Sequence, residues 1–492
     1  MLHAVAIALC VAAIAFLFWS DPGRASDDRI SWVPFVWMFI AGTRFVSSWL
    51  DLRTPGGMDT ASEGSPIDRL FFLAMIVCGA IVLSRREVDW RRLFTRNKLL
   101  TAYLLYCLCS ILWTDDPYVL GKRWIKELAN PIVALVLLTE RRPFDALATT
   151  IKRLSFICLP VSVLFIKYYP QLGRTYAQDG TPSYTGIGEQ KNALGLICLC
   201  AIVGYAWTQL FRRRTDQPAH LAFHAVFLLM LAWLVNMANS QTALLCAAVA
   251  VAFLLLSTRP FARARPTRLI GAVLAATALY LIADATIGVK SHIFAMLGRD
   301  ESLTNRTTIW GVVSSIHTNP LVGVGFMSFW MGDRLTVISH AIGANLNQAH
   351  NGYLEQYLNL GYLGVAFILA LAITALLGAR RQLASDYASA CIRFSLILVA
   401  LLYNYTEASF YGVNNMWLLF LVAAIDVPPA ERETVALTAG AVPIRGRGLN
   451  ARAVATARPA RTFERPASRA LGGRGAGLRN LSNRQMRQRT VR

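Results

Sequence analysis

Polar residues with chemical potential stand at the start of a long apolar run, in the segment NQAHNGYLEQYLNLGYLG at residues 347–364. Such side chains are costly beside hydrocarbon, so a purely structural segment would carry leucine there. Histidine is suited to general-base catalysis near neutral pH, and we predict that role for His350. Asn351 and Glu355 are one helical turn apart, where they are predicted to orient the imidazole or an acceptor hydroxyl. Glu355 as the base in place of His350 is the alternative.

A cationic candidate, Arg306, begins the segment RTTIWGVVSSIHTNPLVGVGFMSFW at residues 306–330. The segment predicts a short amphipathic helix that carries Trp310 on its apolar face. A cation in the first turn of a helix opposes the helix dipole, which indicates that Arg306 binds an anion. Farther along, Gly323 and Gly325 predict a tight turn at which the backbone approaches a ligand.

Other cations stand beside apolar runs elsewhere in the chain. Arg174 lies in a loop that ends in the pair Lys191 and Asn192, and Arg123 shares a helical face with Lys126. Guanidinium groups bind phosphate bidentately. Together with the preceding arginine, these residues therefore predict a cavity that binds a diphosphate. For Arg123 and Lys126, an equal alternative is that their side chains extend to lipid phosphates at the membrane surface.

The composition predicts a membrane protein. The chain has 492 residues, of which 55% are hydrophobic and 16% charged, and its mean hydropathy is +0.44. A soluble protein carries about a quarter charged residues. Apolar stretches near the length that crosses a bilayer recur along the chain and predict an all-α polytopic protein with about 12–14 transmembrane helices. We place the spans near residues 2–19, 31–50, 68–84, 99–113, 121–139, 153–169, 192–210, 220–237, 241–257, 268–287, 353–377, 392–404 and 413–425.

Basic residues predict the orientation of these spans. Lysine and arginine are concentrated in the loops at 85–98, 140–153 and 258–268, which are therefore expected on the cytoplasmic side. With 13 spans, the N-terminus is outside and the C-terminus inside. The two long loops on the outer side, 170–191 and 288–352, are predicted to carry the chemistry, and the second to contain short helices.

The end of the chain has a different composition. Residues 426–492 contain 14 arginines and four acidic residues, which supply +10 of the net charge of +21. This segment is predicted to be a disordered cytoplasmic tail that binds anionic lipid headgroups rather than nucleic acid. The chain thus divides into a transmembrane domain, 1–425, and the tail. The nine cysteines show no disulfide or zinc spacing, and no metal or cofactor is predicted.

Several of these motifs together resemble those of the O-antigen ligase/polymerase superfamily. The resemblance covers roughly residues 70–425, and the segment YYPQLGRTYAQDGTPSYTGIGEQKNALG is similar to the exopolysaccharide polymerisation branch, the ExoQ-like proteins. The matching residues are Arg306, Trp310, Asn319, Pro320, Leu321, Gly323, Gly325, His350, Asn351, Tyr353, Gly361 and Gly364.

The resemblance implies a metal-independent glycosyltransferase of the bacterial inner membrane with a periplasmic active site. The implied donor is an undecaprenyl-diphosphate-linked oligosaccharide, and polymerisation of its repeat units yields exopolysaccharide or O-antigen. The growing polysaccharide chain, membrane lipids, a chain-length regulator and export proteins are the implied partners. By this resemblance Arg306 is the arginine of the large loop, His350 is the catalytic histidine, and Lys191 with Asn192 forms the ExoQ-like pair.

One position departs from the family pattern. Many members carry a basic residue after a serine at the start of the ninth span, whereas this chain has Gln241 after Ser240. Arg174 or Lys191 would then supply the missing charge, and the departure weakens the ligase reading more than the polymerase one. The alternatives are an O-antigen ligase that transfers glycan to lipid A-core and, in another class, a lipid-linked saccharide flippase or transporter.

Overall fold

A computed structural model describes residues 1–21, 31–50, 65–176, 180–212, 221–289, 306–343 and 346–428. These residues belong to one compact unit. The predicted tail beyond residue 428 therefore lies outside the described residues, as do residues 290–305 of the second outer loop.

Apolar helices form most of the described chain, which confirms the prediction of an all-α polytopic membrane protein. The first half contains α1 (Leu2–Trp19), α2 (Val33–Gly42), α3 (Val46–Trp49), α4 (Pro66–Ser84), α5 (Trp90–Arg96), α6 (Lys98–Cys109), α7 (Pro117–Glu127), α8 (Ala129–Leu138), α9 (Pro143–Tyr168) and α10 (Pro170–Gly173). The second half contains α11 (Lys191–Trp207), α12 (Leu221–Ala238), α13 (Gln241–Ser257), α14 (Pro260–Ala264), α15 (Pro266–Ile287), α16 (Arg306–Ser315), α17 (Gly332–Ile342), α18 (Gly352–Gln382), α19 (Tyr387–Tyr403) and α20 (Asn415–Ala424).

Helix length and composition separate two groups. Within the described residues, seven helices are long and apolar enough to cross a membrane, namely α1, α4, α9, α11 with its extension to Arg212, α12, α15 and α18. Five shorter apolar helices also match predicted spans: α2, α6, α13, α19 and α20. Of these, α19 and α20 are largely buried, and they pack against each other and against α18.

Two predicted spans are each divided between two helices. The span at 31–50 becomes α2 and α3, and the span at 121–139 becomes α7 and α8. In the second case Pro131 explains the division, because its ring would clash with the carbonyl of Glu127 in a continuous helix. Because of the break, Arg123 and Lys126 belong to the short helix α7, and the apolar residues that follow form the separate helix α8.

Helix α18 is broken at Gly361, whose φ is 64° and ψ is −165°. The loop at 319–325 fills the break: the Tyr362 amide donates to the Pro320 carbonyl and the Gly325 amide donates to the Asn359 carbonyl, each at 2.8 Å. A Cβ on Gly323 would lie 2.4 Å from the Asn359 backbone. We expected the backbone of Gly323 and Gly325 to approach a ligand; at Gly323 it instead approaches the broken helix.

At one end of the bundle, ion pairs between basic and acidic residues join neighbouring helices. Lys152 Nζ lies 2.6 Å from Asp21 Oδ2, Arg212 Nε lies 2.6 Å from Asp145 Oδ1, and Arg86 pairs with Glu140. Because α1 and α9 run antiparallel, their other ends meet where His3 contacts Tyr169, with ring centroids 5.1 Å apart.

That second end holds the loops predicted to face outward. A short hairpin of β1 (Arg174–Tyr176) and β2 (Pro182–Tyr184) follows α9, with Arg174 opposite Tyr184. The Arg44 side chain donates to the carbonyl oxygens of Leu172 and Gly188 and so holds this loop against the α2–α3 connection. The first outer loop is thereby placed beside the start of α11.

Candidate functional site

A single buried carboxylate, Glu407, joins three of the predicted site residues. Its Oε1 accepts hydrogen bonds from Asn192 Nδ2 and Arg306 Nη2, both at 2.8 Å. Its Oε2 lies 3.5 Å from Nδ1 of His350. Glu407 is 6% exposed and lies in the short loop between α19 and α20. The residues therefore come together from four separate parts of the chain.

The backbone at the start of α18 is attached to the loop that carries Glu407. The Gly352 amide donates to the carbonyl oxygens of Asn404 at 2.8 Å and Glu407 at 2.9 Å. A Cβ on Gly352 would lie 2.1 Å from Asn404 Oδ1, so only glycine allows this approach. His350, two residues earlier, has a φ of 51°, a left-handed conformation that is uncommon for a residue with a side chain. The two hydrogen bonds of the Gly352 amide therefore fix the backbone beside His350 and, with it, the place of the imidazole.

The predicted role of Asn351 as an orienting residue remains a prediction, and the structure shows its local contacts. Its Oδ1 accepts from the amides of Tyr353 at 3.0 Å and Leu354 at 3.1 Å, so the side chain caps the first turn of α18. The side chain of His350 is 23% exposed, while its Nδ1 is buried without a hydrogen-bond partner. The accessible edge of the imidazole therefore lies away from Glu407.

Arg306 begins α16 and is only 8% exposed. Its Nη2 is held by Glu407, whereas its Nε is buried with no hydrogen-bond partner. Trp310, one turn later, donates from Nε1 to the Ala349 carbonyl at 2.8 Å and so joins α16 to the residue before His350. Trp310 thus helps to hold the backbone next to His350 in place.

Glu355 is fully buried, and donors surround its carboxylate. Oε1 accepts from Trp330 Nε1 at 2.9 Å and from the Ala349 amide, and Oε2 accepts from the Tyr411 hydroxyl at 2.6 Å. Burial, followed by the charge of Glu355, raises the pKa of Tyr411 well above its usual value, so the hydroxyl stays a donor. Together with Trp310, Glu355 holds both polar atoms of the Ala349 backbone, which suits a residue that positions the histidine.

The two predicted cations of the first outer loop differ in their environment. Arg174 donates from Nε and Nη2 to the Ile166 carbonyl at 2.9 and 2.7 Å, and its guanidinium lies 5.4 Å from the Tyr184 ring centroid. The hydrogen bonds to Ile166 attach the hairpin to α9. Lys191 begins α11 beside Asn192 and is half-buried. Of the two, Lys191 is the cation next to a residue that contacts Glu407.

Arg123 and Lys126 lie on α7, and no hydrogen bond joins them to Glu407 in the described residues. Arg123 Nη1 donates to the Met327 carbonyl and so attaches α7 to the second outer loop. The Lys126 ammonium lies 5.3 Å from the Phe72 ring centroid. Next to it, the buried Glu127 accepts from the Gly412 amide at 2.7 Å, in the same loop as Glu407.

Two further facts bear on the predicted chemistry. Gln241, where a basic residue was expected, donates to Asn239 Oδ1 at 3.1 Å, and its neighbour Thr242 contacts Thr406 through their hydroxyl oxygens at 2.6 Å. The start of α13 therefore lies beside Glu407 without adding a cation from Gln241. Among the described residues, no group of three or more His, Cys, Asp or Glu could hold a metal ion.

Sequence reasoning missed Glu407 itself. The signal was present, because NYTEASFYG at 404–412 places an acidic residue between two apolar runs, as the segment around His350 does. The chemistry that the arrangement can support follows from its charges. A guanidinium can stabilise an anionic leaving group, and an imidazole beside a carboxylate can accept a proton.

Comparison with known proteins shows which families the chain resembles. The family model described as O-Antigen ligase matches residues 225–369, which include Arg306 and His350. The exopolysaccharide production protein ExoQ of Rhizobium meliloti (strain 1021) is 24% identical over 386 residues, which cover 71% of this chain and 82% of that protein. The resemblance recognised from the motifs is confirmed: the chain is similar to proteins of an O-antigen ligase/polymerase-like family.

Proposed function

We propose that the protein polymerises undecaprenyl-diphosphate-linked oligosaccharide repeat units into exopolysaccharide or O-antigen. The observation that carries the proposal is the convergence of Asn192, Arg306 and His350 on the carboxylate of Glu407. The similarity to an exopolysaccharide production protein supports the polymerase in particular. The donor, the acceptor and the reaction are parts of this proposal.

The reaction replaces one bond to the anomeric carbon of the donor sugar by another. The acceptor hydroxyl attacks this carbon, the bond from the carbon to the diphosphate oxygen breaks, and the lipid diphosphate leaves with the electron pair. Arg306 stabilises the negative charge that develops on the leaving oxygen, and one well-placed donor is worth about 3–4 kcal/mol in the transition state. Lys191 is proposed to assist as the second cation.

His350 takes the proton of the acceptor hydroxyl. Glu407 Oε2 lies 3.5 Å from Nδ1 of this ring, so its negative charge would stabilise the imidazolium that forms when Nε2 accepts the proton. A base in this position speeds attack by roughly 10²–10⁴-fold. Glu355 acts through His350, because its oxygens are bonded to donors that include the Ala349 amide. Arg174, Arg123 and Lys126 are proposed to attract and position the diphosphate, and Asn351 the acceptor.

We further propose that the site faces the periplasm and that the protein spans the inner membrane. The support is the distribution of charge: Arg86, Lys152 and Arg212 form ion pairs at the bundle end opposite to Glu407. Positively charged helix ends are characteristic of the cytoplasmic side. A chain-length regulator and export proteins would then act on the product at the outer face.

The test is polymerisation in proteoliposomes that contain only the lipid-diphosphate-linked repeat unit of the native polysaccharide. We expect wild type to make a ladder of chain lengths, and Arg306→Ala and His350→Ala to lower the rate at least 100-fold. His340→Ala is the matched control, because this histidine is exposed on α17 in the same loop and should leave the ladder unchanged. A ladder that survives the first two substitutions contradicts the assigned site.

A ligase is the second candidate, since the matching family model is described as O-Antigen ligase. The same proteoliposomes distinguish it when lipid A-core is added. Transfer of glycan to lipid A-core without a ladder identifies a ligase. Movement of the lipid-linked saccharide across the bilayer with neither product identifies a flippase or transporter.

A further inference from the structure

A polar cavity lies at the bundle end opposite to Glu407. It has a volume of about 110 Å³ and is lined by residues that include Arg96, Arg381, Arg393 and Asp426. A single water needs only about 10–15 Å³ of such space. The cavity is enclosed by the starts of α6 and α19, the last turns of α18 and the residues after α20.

The charges that line the cavity are unbalanced. Three guanidinium groups face one carboxylate, and that carboxylate, Asp426, lies 3.5 Å from Arg96. The most buried of the three, Arg393, is 5% exposed. Its Nε donates to the Ala423 carbonyl at 2.6 Å and its Nη1 to Gln382 at 3.4 Å, but Nη2 is buried without a hydrogen-bond partner. An unpaired buried guanidinium donor is costly and indicates an anionic ligand.

The backbone of α18 is adapted to this arginine. Gly378 lines the cavity, and a Cβ added to it would lie 2.8 Å from Nη2 of Arg393. Glycine therefore leaves the space in which the guanidinium lies. The lining also includes apolar residues, among them Leu100 and Leu371.

We propose that this cavity binds a phosphate group, and that its source is the headgroup of an anionic phospholipid. Arginine pairs with phosphate through two parallel hydrogen bonds, which would satisfy Nη2 of Arg393. The leucines would contact the first methylene groups of an acyl chain. Basic pockets between membrane helices on the cytoplasmic side are suited to such headgroups. Free inorganic phosphate has the same chemistry and is the other source that the experiment distinguishes.

The test measures ligands bound to the full-length protein, purified in detergent and delipidated, by native mass spectrometry. Phosphatidylglycerol, phosphatidylcholine and inorganic phosphate are titrated separately. We expect wild type to prefer phosphatidylglycerol to phosphatidylcholine, because the choline cation would be repelled. Arg381→Gln should weaken phosphatidylglycerol binding about tenfold, as for the loss of one charge-assisted hydrogen bond.

Two further variants make the result specific. Arg380→Gln removes the same charge from the adjacent residue, which is exposed and is not part of the cavity lining, and should leave binding unchanged. Asp426→Asn removes the only carboxylate among the described lining residues and should strengthen binding several-fold, a gain that a misfolded protein would not show. Thermal unfolding without ligand checks that each variant is folded.

Each possible result leads to a different conclusion about the ligand. The three shifts with phosphatidylglycerol support the lipid headgroup. The same shifts with inorganic phosphate, and no preference between the two lipids, retain the phosphate site but overturn the lipid as its source. Equal binding by the Arg380 and Arg381 variants for every ligand overturns the proposal. None of these outcomes depends on glycan polymerisation.

Discussion

At the scale of single residues, Glu407 determines how charge is balanced around His350. Its hydrogen bond to Arg306 keeps this largely buried guanidinium from being an isolated charge when no diphosphate is bound. Nε of Arg306 has no hydrogen-bond partner and would be the donor offered to an arriving anion. The same carboxylate holds Asn192, so the first and second outer loops meet at one acidic group.

The first prediction concerns the loss of this balance. Glu407→Gln keeps the size of the side chain but removes its charge, which leaves Arg306 buried without a counter-ion. Breaking a buried pair in this way costs about 3–5 kcal/mol, and we expect a decrease of that size in the free energy of unfolding. Polymerisation should fall at least 100-fold, because neither Arg306 nor His350 is then oriented. Denaturant unfolding in detergent and the proteoliposome assay measure the two effects.

A double variant separates stability from catalysis. Arg306→Met with Glu407→Gln removes both charges, so most of the stability lost in either single variant should return. Activity should stay absent, because the cation that stabilises the leaving group is missing. Recovery of activity in the double variant would show that Arg306 is structural. Equal stability of all four proteins would show that the ion pair is not formed in solution.

At the scale of elements, the break in α18 determines the direction of the helix segment that carries the candidate site residue Glu355. The segment before Gly361 carries Glu355 near its start, and the segment after it continues as an apolar helix. The loop at 319–325 donates and accepts the hydrogen bonds that a continuous helix would make internally. Because the break is closed by that loop, the direction of the first segment depends on the second outer loop and not on the membrane span alone.

The second prediction tests this closure. Gly323→Ala should destabilise the protein by about 3 kcal/mol or more, because a left-handed backbone and a Cβ placed 2.4 Å from the Asn359 backbone both oppose alanine. Gly332→Ala is the matched control. Its φ of 57° is similar, but no atom lies within 4 Å of the added Cβ, so it should cost only about 1 kcal/mol.

Thermal unfolding midpoints measure both changes, and the glycan ladder measures their effect on the site. If the two variants are equally stable, the contact between Gly323 and α18 does not determine the fold. Gly361→Ala tests the same contact from the side of α18. If Gly323→Ala is unstable but Gly361→Ala is not, closing the break in the helix is not what makes Gly323 necessary.

At the scale of the whole molecule, the candidate site and the ion pairs of Arg86, Lys152 and Arg212 lie at opposite ends of the bundle. The end with Glu407 contains loops and short helices. The other end contains ion pairs between basic and acidic residues and the cavity lined by Arg393. Such a separation gives the protein one orientation in the membrane through the positive-inside rule. It also means that a lipid headgroup at the basic end and a lipid-linked sugar at the opposite end would be bound in different leaflets.

The third prediction is the orientation itself. In a cysteine-free background, Arg91→Cys and His340→Cys place single thiols at exposed positions in the two ends of the bundle. A membrane-impermeant maleimide added from the periplasmic side should label position 340 and should label position 91 only after the inner membrane is opened. The reverse pattern would place the proposed active site in the cytoplasm and would overturn the use of a periplasmic donor.

The sequence by itself determined the fold class, most of the helices and the motifs of the family. These properties are local, because hydropathy, charge and residue spacing are all read within short windows. Residues such as Arg306 and His350 could be selected in this way, since each is polar next to an apolar segment.

Only the tertiary structure decided which of these residues share a site. Glu407 contacts residues that precede it by 57, 101 and 215 positions, and no local pattern contains such contacts. The same holds for the loop at 319–325. Its glycines predict a turn or a close approach of the backbone, but only the structure shows that the partner is the broken helix α18. Long-range contacts depend on how the helices pack, and packing is a property of the whole chain.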